Sequence, residues 1–231
     1  MAADRVATAA RILQEAASRG QRALAEHQAK QVLAEYGFAV TREILVTARE
    51  EVGPAAAGIG YPVVLKASSP EIPHKTEQGL VRLGLHDEAA ALEAYDAISA
   101  ALAGRAGGVL VQEMITGGRE LALGLVRDPD FGPCVMFGLG GILTEALGDA
   151  VFRRAPLEAG EAHDMMEEIR GRRILDAGRG MPAADRGSLA NMLIALGRIG
   201  LDHYAVAEID LNPVILAGSR PVVADALIVL R

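Results

Sequence analysis

Residues 61 to 81 read Tyr61-Pro-Val-Val-Leu-Lys66-Ala-Ser-Ser-Pro70-Glu-Ile-Pro73-His74-Lys75-Thr-Glu-Gln-Gly-Leu80-Val81. The apolar run Pro62 to Leu65 has the character of an interior strand, and Lys66 stands at its end. A buried ammonium without a partner is costly, so this lysine must either reach a fixed anion or escape to water. Pro70 and Pro73 deny the next stretch a regular helix, which leaves His74 and Lys75 on a shaped polar loop suited to phosphate. A solvated surface lysine is the competing reading of this stretch by itself.

Working outward, the spacing predicts helices over about 3–19, Glu26 to Tyr36, Glu88 to Leu102, Glu158 to Arg170 and Ala184 to Gly200, with a short alanine-rich helix ending near Gly58. Strands are expected at Phe38 to Val46, Pro62 to Lys66, Val81 to Leu85, Val109 to Met114, Glu120 to Arg127, Cys134 to Phe137 and Ala150 to Ala155. Three more close the chain at Ala205 to Leu211, Val214 to Ala217 and Pro221 to Asp225. The order predicts an α+β chain of two lobes with a cleft between them.

The 231 residues are enough to bury a substantial core, and 51% hydrophobic with 23% charged residues is the composition of a globular chain. A net charge of -7 argues against a nucleic-acid backbone as the main partner, yet leaves room for a local basic pocket. The single cysteine, Cys134, excludes an internal disulfide and a Cys-rich zinc site and is expected to be packed. No secretory leader and no membrane-spanning run is read, so a cytoplasmic protein is expected.

Near the C-terminus, Glu208, Asp210 and Asn212 alternate along a strand and therefore share a face, with Asp225 thirteen residues beyond Asn212. Such oxygen-bearing groups suit a hard cation such as Mg²⁺, and a solvent-facing acidic strand is the alternative. Phe137-Gly138-Leu-Gly140-Gly141 is a glycine-rich turn that either cradles phosphate with its amides or is a plain tight turn. It is neither a Walker A sequence nor a dinucleotide fingerprint. Glu120 opens an apolar strand and adds a possible carboxylate. Gln112-Glu113-Met114 ends another strand and could offer backbone groups to a purine edge. Arg153 fits either a charged ligand or a surface ion pair, with Arg154 facing the other way. His27, His86, His163 and His203 have no ligand-like spacing and read as surface or core residues.

In this order the motifs resemble the ATP-grasp nucleotide-binding subunit of ADP-forming acyl-CoA synthetases, relatives of succinyl-CoA synthetase. The resemblance runs from about Glu26 to Leu230. It implies an ATP-grasp fold with antiparallel sheets flanked by helices. A helical extension would occupy 1–24, and a smaller lobe at about 37–112 would be inserted against a larger lobe made of 25–36 and 113–231. It also implies the reaction acid + CoA + ATP ⇌ acyl-CoA + ADP + phosphate. Lys66, and Lys75 beside it, would hold nucleotide phosphates, while Gln112, Glu113 and Met114 form the adenine hinge. Glu120 would be a nucleotide-side or metal-side carboxylate, and Gly138, Gly140 and Gly141 the phosphate turn. Arg153 would be a phosphate-side arginine, with Asn212 and Asp225 as Mg²⁺ ligands and Glu208 beside them. His74 would pass phosphate between ATP and a phosphohistidine on a CoA-binding partner, a separate subunit or further domains of a longer chain. Two positions depart from the family pattern: Leu80 where a second glycine is usual, and Arg154 where an apolar residue is common. A nucleotide-sensing module in a regulatory or acetyltransferase assembly is the alternative.

Overall fold

The computed structural model describes residues 2–72, 78–102, 105–141 and 148–231. The chain begins with helix α1 (Ala2–Ser18), whose Ala9, Ile12, Leu13 and Ala16 repeat at helical spacing and are buried. Helix α2 (Glu26–Glu35) starts where Ala25 turns extended, and the Gln28 side chain accepts the Ala25 N–H at 3.2 Å. It stops before Gly37, whose φ of 88° is readily adopted only by glycine.

A first sheet follows, built from β1 (Glu43–Val46), β2 (Val63–Ser68), β3 (Val81–Leu85) and β4 (Gly108–Glu113) in the order β1-β4-β2-β3, all antiparallel. Helices α3 (Val52–Ile59) and α4 (Glu88–Leu102) cover one face of it. Val63, Leu65 and Ala67 of β2 join Val46, Val109 and Val111 in that apolar layer. Alternation then sends Val64, Lys66 and Ser68 to the other face, and every residue of β2 is buried.

The second sheet holds β5 (Glu120–Asp128), β6 (Gly132–Leu139), β7 (Ala150–Arg154), β8 (Val206–Ala217) and β10 (Leu227–Leu230) in the order β10-β8-β5-β6-β7, with β9 (Arg220–Val223) paired to β8. Helices α5 (Ala159–Glu168) and α6 (Arg186–Asp202) lie on one face. Their core with Leu121, Leu123, Leu125, Val135, Phe137, Ile209 and Leu211 also takes in α1 and the apolar side of α2. Asp185 caps α6 by accepting the Ser188 N–H at 3.0 Å. Two antiparallel sheets with helices on their outer faces fit the expected α+β class. Among the described residues no helix is long and apolar enough to cross a membrane.

The structure corrects the strand boundaries at three places. Only Glu43–Val46 of the expected Phe38 to Val46 strand is regular, Val40 making a single parallel bridge to Val223. β8 runs on through Asn212 and Pro213, which the sequence presents as a break. Pro213 is tolerated there because β8 changes neighbours at that point. It pairs with β10 through Val206 to Asp210 and with β9 through Val214 to Ala217, while the register against β5 shifts between Leu121 and Leu123. The last strand, β10, was not read from the sequence at all.

Asp149 fastens the second lobe. Its carboxylate is buried and accepts the Arg170 N–H at 2.9 Å and the Gly171 N–H at 2.7 Å, with the Arg170 guanidinium 3.6 Å away. Burial alone pushes its pKa up, but the two N–H groups and Arg170 outweigh that and hold it below the ordinary aspartate value. Asp149→Asn should cost about 1.5–3 kcal/mol at pH 7 by urea unfolding. A depressed carboxylate stabilises above its unfolded pKa and loses that contribution as pH falls through the folded one. The gap between wild type and variant should therefore be full at neutral pH and close below about pH 4.

Candidate functional site

Helix α2 lies between the two sheets, with Ala29, Val32 and Leu33 in the core of the second and its polar edge against the first. Lys30 on that edge is buried, and its Nζ donates to Thr41 Oγ1, Glu43 Oε2 and Gln112 Oε1, each at 2.8 Å, with Glu26 Oε1 also at 2.8 Å. An ammonium has three protons, so four acceptors saturate it. Burial lowers the Lys30 pKa, but the carboxylates of Glu26 and Glu43 more than offset this and the net shift is upward. The Glu43 carboxyl is pushed up, because its own burial outweighs the pull of Lys30.

The same Glu26 oxygen reaches Lys66, whose Nζ lies 3.1 Å away. That Nζ also donates to the carbonyl of Ala224 at 2.8 Å, 158 residues away in sequence, and stands 3.8 Å from Asp225 Oδ2. Lys66 is thus neither a solvated surface group nor an isolated buried charge. It bridges the first sheet to the turn between β9 and β10.

Asn212 and Asp225 are brought side by side because Ala224 donates its N–H to the Pro213 carbonyl at 3.0 Å. Asn212 Oδ1 accepts the Gly141 N–H at 3.0 Å, and Gly140 donates to the Glu120 carbonyl at 2.9 Å. Gly140 is required by space and Gly141 by its left-handed backbone. A Cβ on Gly141, whose φ is 60°, would sit 2.0 Å from Glu120 Oε2, and one on Gly140 would sit 2.5 Å from the Leu121 backbone. Gly138 is likewise pressed against the Asp149 carbonyl. Glu120, the glycine turn, Asn212 and Asp225 therefore form one neighbourhood at the edge of β5 and β8.

Other expected residues lie elsewhere. Glu208, Asp210 and Asn212 do share the face of β8 away from the core, opposite Val126 and Gly124 in the case of the first two. However, Glu208 is four residues from Asn212, about 13 Å along an extended strand, too far to share an ion. It lines a separate cavity of about 780 Å³ with Arg19, Arg22, Pro70, Glu71 and Leu227. Among the described residues no three His, Cys, Asp or Glu side chains converge as a ready-made metal cage.

Arg153 is paired with Val135, a core residue, and so points to the helix-covered face, where it forms an ion pair with Glu168 of α5. It is Arg154, opposite Cys134, that faces the open side with Gly124 and Asp210. β7 is the outer strand, three strands from β8, or about 14 Å. These two facts remove Arg153 from the neighbourhood of Asn212. Of the expected hinge, Gln112 is held by Lys30, and the Glu113 carboxylate accepts the Arg42 backbone N–H at 2.7 Å and its Nε at 2.9 Å. Met114 is exposed, and the Glu113 N–H donates to the Arg42 carbonyl at 3.0 Å. Cys134 is partly buried, and burial pushes its thiol pKa up. His74 and Lys75 lie outside the described residues, while Leu80 is buried and hands its carbonyl to Ala67 N–H at 3.0 Å.

Sequence reasoning missed Glu26, Lys30 and His27. His27 Nδ1 is 3.0 Å from Ser68 Oγ, and burial lowers its pKa against the opposing charge of Glu26. The available signal was a run of Glu26-His-Gln-Ala-Lys30 that placed three charged or polar groups on the inner edge of a helix also carrying Ala29, Val32 and Leu33.

The model of the ATP-grasp domain matches residues 15–230. The chain belongs to the ATP-grasp family. It is 36% identical over 232 residues to the beta subunit of ADP-forming acetate–CoA ligase I of Pyrococcus furiosus, covering 98% of this chain and all of that one. It is 41% identical over 203 residues to ADP-forming acetate–CoA ligase I of Archaeoglobus fulgidus, covering 86% of this chain but only 30% of that longer polypeptide. Among solved structures it is similar to the dinucleotide-forming acetyl-coenzyme A synthetase 1 of Ca. Korarchaeum cryptofilum in complex with coenzyme A, Ca-AMPCP and HgCl+. That match has a TM-score of 0.89 at 41% identity, over 95% of this chain and 98% of that one. A second, PH1788 from Pyrococcus horikoshii, superposes with a TM-score of 0.89 at 37% identity over 96% and 97% of the two chains.

Lys30→Met should destabilise the chain by about 3–5 kcal/mol in chemical denaturation, because it leaves Glu26 and Glu43 without their shared cation. A cost below about 1 kcal/mol, the range of an exposed pair, would show that the network is not closed to water.

Proposed function

We propose that the chain is the nucleotide-binding component of an ADP-forming acyl-CoA synthetase, binding Mg-ATP or Mg-ADP in the ATP-grasp cleft. The observation that carries this is the meeting of Lys66 and Asp225, a cation from the first sheet and a carboxylate from the second, at 3.8 Å. Phosphoryl transfer needs positioned charge more than covalent help, and this seam supplies both signs side by side.

In this reading Lys66 binds phosphate oxygens, the amides of Gly140 and Gly141 line the turn beside them, and Glu120 faces the same space. The donor set of Asn212 and Asp225, one amide oxygen and one carboxylate, suits Mg²⁺, which keeps several waters and takes phosphate oxygens to complete its shell. When bound, the ion offsets phosphate charge as it builds. Lys75 adds a second phosphate-side cation, the backbone around Met114 receives the purine, and Arg153 and Glu208 have no part in the cleft. His74 carries phosphate between nucleotide and a phosphohistidine on the partner, since a neutral imidazole is a competent phosphoryl acceptor near pH 7.

Its partner supplies the CoA site, as a separate alpha subunit in a hetero-oligomer or as further domains. The complete reaction is acid + CoA + ATP ⇌ acyl-CoA + ADP + phosphate, placed in the cytoplasm, where its substrates are. The relatives named as acetate–CoA ligases support the reaction class.

Calorimetry of the full chain with Mg-ADP should show saturable binding that weakens at least tenfold in Asp225→Ala; unchanged affinity would remove Asp225 from the ion site. With γ-labelled ATP, Mg²⁺ and the CoA-binding partner, the chain should acquire acid-labile, alkali-stable label that is absent in His74→Ala. Equal labelling of that variant would take His74 out of the transfer.

A further inference from the structure

Glu26 is the first residue of α2, and its side chain has no solvent exposure. One of its oxygens, Oε1, lies 2.8 Å from Lys30 Nζ and 3.1 Å from Lys66 Nζ. A buried carboxylate between two buried ammonium groups has a clear electrostatic sense. Lys30 and Lys66 are matched by Glu26 and Glu43, and Lys66 also stands 3.8 Å from Asp225. The site at a helix N-terminus also favours a carboxylate.

The two lysines differ in what they can do. Lys30 is met by four acceptors on α2, β1, β4 and the segment between α2 and β1, and its place is fixed by all of them. Lys66 is held at the seam by Glu26 and by the Ala224 carbonyl, and these set its direction towards Asp225. Lys30 in turn fixes Glu26. The chain of contacts runs from a saturated, immobile lysine through one carboxylate to the lysine at the cleft.

We propose that Glu26 is the positioning residue for Lys66: it aims the ammonium at the phosphates of the bound nucleotide without touching the nucleotide itself. This rests on the assignment of the seam as a nucleotide site. Among the described residues, the charged groups facing Lys66 include Glu26 and, beyond it, Lys30 from α2, Glu43 from β1 and Asp225 from the turn after β9.

The test compares Mg-ADP, measured by calorimetry, with adenosine, which has no phosphate, measured by ligand-observed NMR. It uses the full chain, Glu26→Gln, Lys66→Met and the double variant. Glu26→Gln should weaken Mg-ADP about tenfold and leave adenosine unchanged. The double variant should bind Mg-ADP no more weakly than Lys66→Met alone, since Glu26 acts through Lys66. A general structural disturbance would lower both ligands together. Wild-type Mg-ADP affinity in Glu26→Gln, equal weakening of both ligands, or additive losses in the double variant would overturn the role of Glu26. If Glu26→Gln does not fold, Glu26→Asp decides: the retracted carboxylate should weaken Mg-ADP at least threefold with adenosine unchanged, and wild-type affinity would overturn the proposal. A wild-type chain that ignores Mg-ADP overturns the nucleotide site as well. Loss in Lys66→Met with none in Glu26→Gln overturns only the positioning role.

Discussion

The saturated, buried ammonium of Lys30 is the constraint on which the arrangement depends. Its four oxygen partners come from a helix that belongs to the core of the second sheet, from two strands of the first, and from Thr41 in the segment that joins them. A buried ion network of this kind adds little net stability compared with an apolar seam of the same shape, but it tolerates only one alignment. Apolar contacts between the sheets would permit sliding. Four oxygens, each 2.8 Å from one nitrogen, do not.

From that alignment the cleft follows. Glu26 passes the position of Lys30 to Lys66, the Ala224 carbonyl takes Lys66 to the turn after β9, and the Ala224–Pro213 hydrogen bond sets Asp225 beside Asn212. Asn212 then receives the glycine turn through Gly141, whose φ of 60° favours glycine. Residues near both ends of the chain thus act as one surface, although neither end has the elements to form it alone.

Much of this was legible in the sequence, for reasons that can be given residue by residue. An apolar run ending in lysine and an alternating Glu-Ile-Asp-Leu-Asn strand are local patterns, and local patterns fix what faces in and what faces out. Arg153 was legible only by half. Alternation separates it from Arg154, but the sequence does not say which face the helices cover, and the pairing of Arg153 with core residue Val135 decides that. Glu208 shares a face with Asn212 yet misses the site, because sharing a face says nothing of distance along the strand. The break expected at Pro213 was real in chemistry but was absorbed where β8 changes neighbours. Lys30 and Glu26 were missed because an i, i+4 Glu and Lys pair on a helix usually marks a solvated face, and here the face is closed by a sheet more than eighty residues away at Gln112.

The most direct measurement is an experimental structure of the chain with Mg²⁺ and a non-hydrolysable ATP analogue. The account predicts phosphate oxygens in hydrogen-bond contact with Lys66 Nζ, Asn212 and Asp225 at the ion, and the four contacts of Lys30 unchanged. A nucleotide seated away from Lys66, with its ion touching neither Asn212 nor Asp225, would contradict it.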